Sequence, residues 1–281
     1  MRETSPQVFL IARPSLDVAA MRAYLKAVGG ESWLRKRLEE STSAAENPAR
    51  GEPPLDVTYS ADEPPAAELL VEFAGRLCYR SWEPGLNPNV TRVRSDRGEY
   101  FANILASGHG SVLEHASWTF VLHEVSRAFT HELVRHRVGC ALSQESLRYV
   151  RLVDIGFRVP PALQPLRERV LSVVEQLEDL QISAANALGV DGEDVPFAIK
   201  KEITSALRRL APIGLSTDVV WTANARTLRH VIELRTDPGA EEEMRLVFDR
   251  VAQIARAQAP EIFQDFTRTD DGAWIPAFRK V

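Results

Sequence analysis

A dense group of basic side chains between positions 131 and 149 constrains this chain more than any other feature. The segment His-Glu-Leu-Val-Arg-His-Arg at positions 131–137 is followed, eight residues later, by Ser-Leu-Arg-Tyr at 146–149. Arginine presents a planar, permanently charged fork of donors, so arginines beside Ser, Gln and Glu suit a ligand with phosphates and a hydrogen-bonding ring. The alternative is a solvated helix face, because runs of charge usually face water. The neighbouring segments favour a nucleotide-like ligand.

The residues before this basic segment predict a strand followed by a capped helix. Trp118 to His123 alternate large apolar residues with smaller or polar ones, which is typical of a strand with one buried face. Ser126 is suited to cap a helix through Phe129 and Leu133, because its hydroxyl can accept from a free backbone N–H. The basic residues are therefore expected where a helix ends.

Helical spacing recurs along the rest of the chain. Val8 to Ala12 predicts a short buried strand, and apolar periodicity predicts helices over residues 68–79, 100–107, 166–189, 197–210, 224–234 and 240–257. We expect the first of these helices to bury a face made of Leu69, Leu70, Phe73 and Leu77. We expect Asp237 to cap the last helix, with Pro238 at its first position.

The chain carries no Pro/Gly linker that would divide it into two domains. We therefore expect a single domain over residues 1–281. Residues 41–65 are rich in Ser, Ala, Glu, Gly and Pro, with few large apolar side chains. Such a composition lacks the means to build its own core, so we expect a surface excursion at about residues 21–65.

Composition excludes several functional classes. The formal net charge of −5 and the sequence pI of about 5.8 argue against general nucleic-acid binding, which needs a basic field. Cys78 and Cys140 are too few and too far apart for a disulfide framework or a zinc site. No apolar stretch approaches the length needed to span a bilayer. We expect a cytoplasmic protein that binds neither nucleic acid nor membrane.

The basic segment resembles a zinc protease helix only superficially. A metal-binding helix needs its histidines four residues apart, whereas His131 and His136 are five apart and point about 140° apart on the helix. We therefore expect no metal site. Glu132 lies close to Arg135 in sequence, and spacing alone leaves two alternatives open: an ion pair within the helix, or a shared ligand site formed where Gly139 loosens the chain.

Two further clusters contain residues of the same kinds. In Gly108 to His115 the glycines allow close backbone approach, and Ser111 could cap a turn that presents Glu114, although an ordinary Ser-capped turn would look the same. In Asn224 to Arg235, the residues Arg226, His230 and Leu234 follow each other at i, i+4 spacing on a helix. That stripe of cation, imidazole and apolar side chain is a platform for a flat ring.

Taken together, the three clusters resemble the flavin-dependent thymidylate synthase family. The match is specific, because Arg135-His136-Arg137 precedes Ser146-Leu147-Arg148-Tyr149 as in the family's hallmark motif. Further similarity lies in residues 73–79, 108–115 and 224–235, and the resemblance runs from about Val8 to Phe266, omitting residues 21–65. It implies an α+β fold with a mixed, mainly antiparallel sheet flanked by long helices, in a homotetramer whose active sites are shared between subunits.

The resemblance also implies an activity and its site residues. The reaction is the reductive methylation of dUMP to dTMP, in which methylenetetrahydrofolate gives the carbon and NADPH reduces FAD, the hydride carrier. Residues implied at FAD are Ser111, Glu114, Arg135, His136, Arg137, Asn224, Arg226, His230 and Leu234. Residues implied at dUMP are Glu132, Arg135, Gln144, Ser146, Leu147, Arg148, Arg208 and Arg235. Of these, catalysis is assigned to Ser146, Arg148 and Arg235, and no neighbouring base is spaced to make Ser146 a nucleophile.

Two departures from the family pattern motivate an alternative. Eight residues separate Arg137 from Ser146, one more than the spacing of most members, and Gly239 stands where a histidine is usual. A catalytically impaired homologue that still binds FAD and dUMP would tolerate both changes. Activity assays separate this alternative from the enzyme.

Overall fold

The computed structural model describes residues 1–44 and 66–281. Its α-helices are α1 (Val18–Val28), α2 (Glu31–Ala44), α3 (Ala66–Tyr79), α4 (Arg97–Ala106), α5 (Arg127–Leu133), α6 (Arg167–Ala187), α7 (Phe197–Leu207), α8 (Ala225–Thr236) and α9 (Glu242–Gln258). Its strands are β1 (Arg2–Glu3), β2 (Gln7–Ala12), β3 (Ser117–Ser126), β4 (Cys140–Gln144), β5 (Gly156–Phe157), β6 (Ser216–Asn224), β7 (Phe266–Arg268) and β8 (Trp274–Pro276). Short 3-10 turns span Gly110–His115, Pro161–Leu166 and Arg208–Leu210.

The centre of the fold is a four-stranded antiparallel sheet in the order β2-β3-β6-β4. The alternation predicted for β3 sets its faces: Trp118, Phe120 and Leu122 are buried, as are Val219 and Trp221 opposite them on β6. Two small sheets accompany it, an antiparallel β7-β8 pair and a parallel β1-β5 pair. The predicted α+β class and its antiparallel sheet are confirmed.

Helices α8 and α9 cover the buried face of this sheet. Trp221 stacks on Phe120 with ring centroids 5.9 Å apart, and its edge meets Phe248 of α9 at 5.4 Å. Each such aromatic side chain removes a large apolar area from water, so this layer dominates the stability of the core. The opposite face of the sheet carries exposed apolar side chains, including Phe9 and Val220.

The helix that precedes the basic segment begins as predicted. Ser126 ends β3 and caps α5, accepting from the backbone N–H of Phe129 at 3.0 Å. The cap is itself held by Glu243 of α9, which accepts from the backbone N–H of Ser126 at 2.7 Å and from its hydroxyl. Burial raises the pKa of Glu243, against the hydrogen bonds from Ser126. The core therefore fixes where α5 starts and, through the seven residues of this helix, where the turn carrying Arg135, His136 and Arg137 lies.

The surface excursion predicted at about residues 21–65 is wrong over residues 21–44. These residues form most of α1 and all of α2, and they bury Leu25, Trp33 and Leu34 in a second small core against Leu69 and Trp82. The prediction failed because the few apolar residues here are large and are paired across helices. Residues 45–65 lie outside the described residues.

A buried ionic group joins α2 to α3. Glu72 accepts from Arg37 at 2.8 Å and from Arg76 at 2.8 Å, and the three side chains are no more than 1% exposed. Burial disfavours the charged carboxylate, but the hydrogen bonds from Arg37 and the charge of Arg76 outweigh it and lower the pKa of Glu72. We call these three residues the buried arginine cluster.

Two local predictions were wrong. Helix α3 buries Glu72 and Arg76. Leu77, which was expected on the buried face of this helix, is 43% exposed. Helix α9 begins at Glu242 and is capped by Glu241, which accepts from the backbone N–H groups of Glu243 and Met244. Asp237 instead accepts from the backbone N–H of Gly239 in the turn after α8.

Candidate ligand cavity and active site

The turn from α5 into β4 is fitted closely to the start of α8. Gly139 has a φ of +68°, and a Cβ there would lie 2.3 Å from the Thr227 hydroxyl and 2.5 Å from the Asn224 amide. Two hydrogen bonds hold the backbone of this turn: the Thr227 hydroxyl donates to the Val138 carbonyl at 2.8 Å, and the Asn224 N–H donates to the Gly139 carbonyl at 3.0 Å. Only glycine fits this position, so the turn presents Arg135, His136 and Arg137 beside α8.

A cavity of about 400 Å³ lies at this junction. Its lining includes seven of the nine residues that the sequence places at FAD: Glu114, Arg135, His136, Arg137, Asn224, Arg226 and His230. Its other lining residues are Val138, Thr227, Val231, Arg279, Lys280 and Val281. The three sequence clusters thus meet in one cavity, although Glu114 and His230 are 116 positions apart in the chain.

The two remaining predicted FAD residues lie outside this lining. Leu234 is exposed and follows Arg226 and His230 along α8, so the predicted stripe exists and continues past the cavity. Ser111 is the second residue of the 3-10 turn Gly110–His115 and does not cap it. The cap prediction failed because the turn begins one residue earlier, at Gly110.

Charge in the cavity is poorly balanced by the protein. Arg226 pairs with Glu114 at 2.7 Å, and both side chains are almost half exposed. Arg135 and Arg137 have no carboxylate partner among residues 1–44 and 66–281. We call Arg135, Arg137 and Arg226 the cavity arginines. Their donors are available to an anionic ligand, in contrast to those of the buried arginine cluster.

Arg235 joins the basic segment to the end of α8. Its Nη1 donates to the Glu132 carboxylate at 2.7 Å and its Nε donates to Nε2 of His136 at 2.8 Å. Burial, followed by the positive charge of Arg235, lowers the pKa of His136 to about 4. The imidazole is therefore neutral at physiological pH and accepts from Arg235. Of the alternatives left open for Glu132, the pair with Arg135 does not form.

The predicted dUMP residues form a separate group. Gln144 ends β4 and donates to the Thr130 hydroxyl at 3.2 Å, and the Ser146 hydroxyl accepts from the backbone N–H of Arg148 at 3.3 Å. The guanidinium of Arg148 lies 5.6 Å from the ring centre of Tyr149. None of Gln144, Ser146, Leu147, Arg148 and Arg208 lines the cavity described above. Within one chain the two predicted sets therefore meet at Arg135 and where Arg235, bonded to Glu132, donates to His136, while the other five dUMP residues lie outside the cavity lining.

Arg127 was missed by the sequence analysis. Its Nη2 donates to the Glu145 carbonyl at 2.9 Å, while its buried Nε has no partner in the described part of the chain. Burial lowers the pKa of Arg127; Glu145 opposes this shift and the nearby charge of Arg208 adds to it. Two arginines held together without a full set of acceptors suit an anion. The signal was its i, i+4 spacing to His131 on α5.

Residues 1–44 and 66–281 contain neither a candidate membrane-spanning helix nor a candidate metal-binding cluster. No helix there has the length and hydropathy required to cross a bilayer. The same residues contain no group of three His, Cys, Asp or Glu side chains arranged to hold a metal ion.

The fold and this cavity define an α+β protein with a cationic cavity at the junction of a sheet and a helix. Residues 60–261 match the family described as thymidylate synthase complementing protein. A flavin-dependent thymidylate synthase of Mycobacteroides abscessus is 38% identical over 76% of this chain and 84% of its own length. Those of Mycobacterium tuberculosis (38%, 77% and 85%) and Corynebacterium diphtheriae (35%, 71% and 79%) are similar. The chain belongs to the thymidylate synthase complementing protein family.

Proposed function

We propose that this protein is a flavin-dependent thymidylate synthase, which converts dUMP to dTMP with methylenetetrahydrofolate as carbon donor and NADPH as reductant. The observation that carries the proposal is the cationic cavity, because residues from three distant segments meet there with unbalanced positive charge. Protein side chains supply neither a one-carbon unit nor a hydride, so cofactors must provide both.

The residues of the cavity fit FAD in chemistry. A volume of about 400 Å³ lies within the range of ligand pockets, and the cavity arginines suit a diphosphate. The His136 and His230 rings meet edge to face at 6.2 Å, and the exposed His230 ring can pack against a ring system. When bound, FAD supplies the hydride. The cavity arginines would hold its phosphates, and Asn224 and His230 would orient its ring.

The group formed by Glu132, His136 and Arg235 would bind the reacting base. A carboxylate can accept from a ring N–H of uracil, and the guanidinium can donate to a ring carbonyl. Because His136 is neutral, it leaves Arg235 as the positive charge that stabilises negative charge developing on the pyrimidine. Arg148, Ser146, Arg208 and Arg127 would bind the phosphate, which fixes the nucleotide for reaction.

The two sets of residues would complete each other across a subunit boundary. Five residues of the dUMP set lie outside the flavin cavity of their own chain, so a second copy of the chain would supply them: Gln144, Ser146, Leu147, Arg148 and Arg208. Exposed apolar residues near this set, such as Tyr149, Phe197 and Ile213, support such a contact, as do Phe9 and Val220 on the sheet. We propose a homotetramer with shared active sites. The free Cys78 and Cys140 and the nucleotide substrates support a cytoplasmic location.

The activity is tested by incubating the purified protein anaerobically with dUMP, methylenetetrahydrofolate, NADPH and FAD, and measuring dTMP by chromatography. We expect dTMP only when dUMP, methylenetetrahydrofolate and NADPH are all present, and we expect protein stripped of flavin to require added FAD. Binding of flavin and dUMP without dTMP formation would contradict the proposal and would fit the impaired homologue instead.

Shared sites are tested by co-expressing Arg226→Ala chains with Arg148→Ala chains. If each site takes the two residues from different chains, some mixed sites contain both arginines. The mixture should then be more active than either variant alone at a dUMP concentration that does not saturate Arg148→Ala. Absence of any recovery in a mixed tetramer isolated with two affinity tags would contradict sharing.

A further inference from the structure

The residues that follow β8 form one wall of the flavin cavity, although no sequence motif points to them. Arg279, Lys280 and Val281 line the same cavity as the cavity arginines. Arg279 also lines a neighbouring cavity of about 840 Å³ together with Arg235, so it stands between the two spaces. The segment is therefore placed to touch whatever occupies the flavin cavity.

The backbone of this segment is held by a buried ion pair. Arg229 is 2% exposed and donates to Asp265 at 2.7 Å, and its second Nη donates to the Phe278 carbonyl at 3.2 Å. The Asp265 carboxylate accepts in turn from the backbone N–H of Phe278 at 3.1 Å. These bonds fix the path of the chain immediately before Arg279, so its position does not depend on the ligand.

The segment also presses on the turn that carries Glu114. Val281 is 8% exposed, and a Cβ at Gly110 would lie 3.0 Å from its carbonyl carbon and 2.9 Å from Nε of Arg226. A larger residue at Gly110 would force the wall away from the cavity. The close approach therefore brings the positive charges of the segment next to Arg226.

The net positive charge of the cavity lining favours the binding of an anion. Its permanently charged cations are Arg135, Arg137, Arg226, Arg279 and Lys280, and the only carboxylate side chain in its lining, within the described residues, is that of Glu114. Arg279 pairs outside the lining with Glu233 at 3.0 Å, while Lys280 is exposed and has no partner in the described part of the chain. Concentrated positive charge is stabilised by a multivalent anion, and a diphosphate offers several acceptor oxygens at once.

We propose that Arg279 and Lys280 bind the diphosphate of the dinucleotide cofactor, a role that rests on the proposed function of the cavity. The segment acts as a fixed cationic wall. Arg226 and Arg135, which line the same cavity, bind the same diphosphate.

The test measures flavin binding rather than turnover. Flavin-free protein is titrated with FAD and, separately, with riboflavin, which has the ring but no phosphate, and binding is followed by fluorescence. In the double variant Arg279→Ala/Lys280→Ala we expect FAD to bind about tenfold more weakly, because charge-assisted hydrogen bonds are lost, and riboflavin affinity to stay unchanged. The charge-preserving variant Arg279→Lys/Lys280→Arg should retain most of the FAD affinity.

A matched control removes two exposed cations elsewhere, Arg22 and Lys26 on α1, and should leave FAD affinity unchanged. Equal FAD affinity in the native protein and the Arg279→Ala/Lys280→Ala variant would overturn the inference and leave the proposed function intact. An equal loss of FAD affinity and riboflavin affinity in that variant would overturn the inference too. Arg279 and Lys280 would then contribute by packing against the flavin and not by binding its phosphates. Failure of the native protein to bind FAD would overturn the proposed function itself.

Discussion

The buried arginine cluster and the cavity arginines use the same side chain in opposite ways. Arg37 and Arg76 are 1% exposed and share the carboxylate of Glu72, whereas Arg135 and Arg137 are exposed and have no carboxylate partner in the described residues. A charge taken out of water needs a partner, so a buried arginine reports on the fold. An arginine beside a cavity whose donors have no carboxylate partner indicates a binding site for an anionic ligand. The partners, and not the density of arginines, distinguish the two.

The largest effect is expected from breaking the buried arginine cluster. Glu72→Ala leaves two buried guanidinium groups without their carboxylate, and it should lower the free energy of unfolding by about 3–5 kcal/mol. Urea denaturation followed by circular dichroism measures this. The matched variant Arg137→Ala should change unfolding by no more than about 0.5 kcal/mol while weakening flavin binding. Similar stability losses in both variants would remove the distinction between the two regions.

The next largest effect is expected at the dUMP set. Arg148→Ala should weaken dUMP binding by about 2 kcal/mol, or about 30-fold, because a charge-assisted contact to the phosphate is lost. Titration calorimetry with dUMP measures the change. Arg169→Ala, at an exposed arginine of α6, is the control and should bind dUMP as the native protein does. Unchanged affinity in Arg148→Ala would mean that the phosphate lies elsewhere.

A smaller effect concerns the pH dependence of stability. Burial and Arg235 lower the pKa of His136 from 6.5 to about 4. Between pH 6.5 and pH 4 this imidazole is therefore protonated in the unfolded chain and neutral in the folded chain. The free energy of unfolding should therefore fall by about 1–2 kcal/mol from this group as the pH drops from 6.5 to 4, after allowance for solvent screening.

Denaturation curves at several pH values measure this contribution. The variant His136→Asn should lose it, and His131→Asn, at an exposed histidine of the same segment, should keep it. The same pH dependence in all three proteins would show that His136 is not held neutral by the fold.

The smallest effects are expected at two side chains that stand in the motif without reactive partners. The Ser146 hydroxyl accepts from a backbone N–H, and the Cys140 thiol donates to the His136 carbonyl at 2.8 Å, while burial raises the pKa of that thiol. Ser146→Ala and Cys140→Ala should both keep measurable dTMP formation. Complete loss of turnover in Ser146→Ala with intact dUMP binding would assign it a covalent role.

Local signals were readable in the sequence, and contacts between distant segments were not. The alternation of β3 and the cap at Ser126 depend on neighbouring residues, so both were predicted correctly. The pairing of Arg37 with Glu72 joins two helices 35 positions apart, and no periodicity reports it. For the same reason α3 was expected to bury Leu77 when it buries charged residues.

The candidate site was predicted to the extent that its residues form motifs. The cavity collects seven residues that the family resemblance implied for FAD, although their binding role stays a prediction. Arg127 and Arg279 were missed because neither belongs to a sequence motif. Arg127 stands out only through a buried Nε without a hydrogen-bond partner, and Arg279 only because the fold places it in the lining of the cavity. The arrangement of the dUMP set across subunits also stays a prediction, since it depends on a second copy of the chain.

The most direct test of the ligand role of the cavity arginines is the visible absorbance spectrum of three purified proteins: native, Arg135→Ala and Glu72→Gln. We predict flavin bands in the native protein and in every folded molecule of Glu72→Gln, and a colourless but fully folded Arg135→Ala. A yellow Arg135→Ala with an unchanged flavin content would contradict the account, because the free guanidinium beside the cavity would then have no ligand to hold.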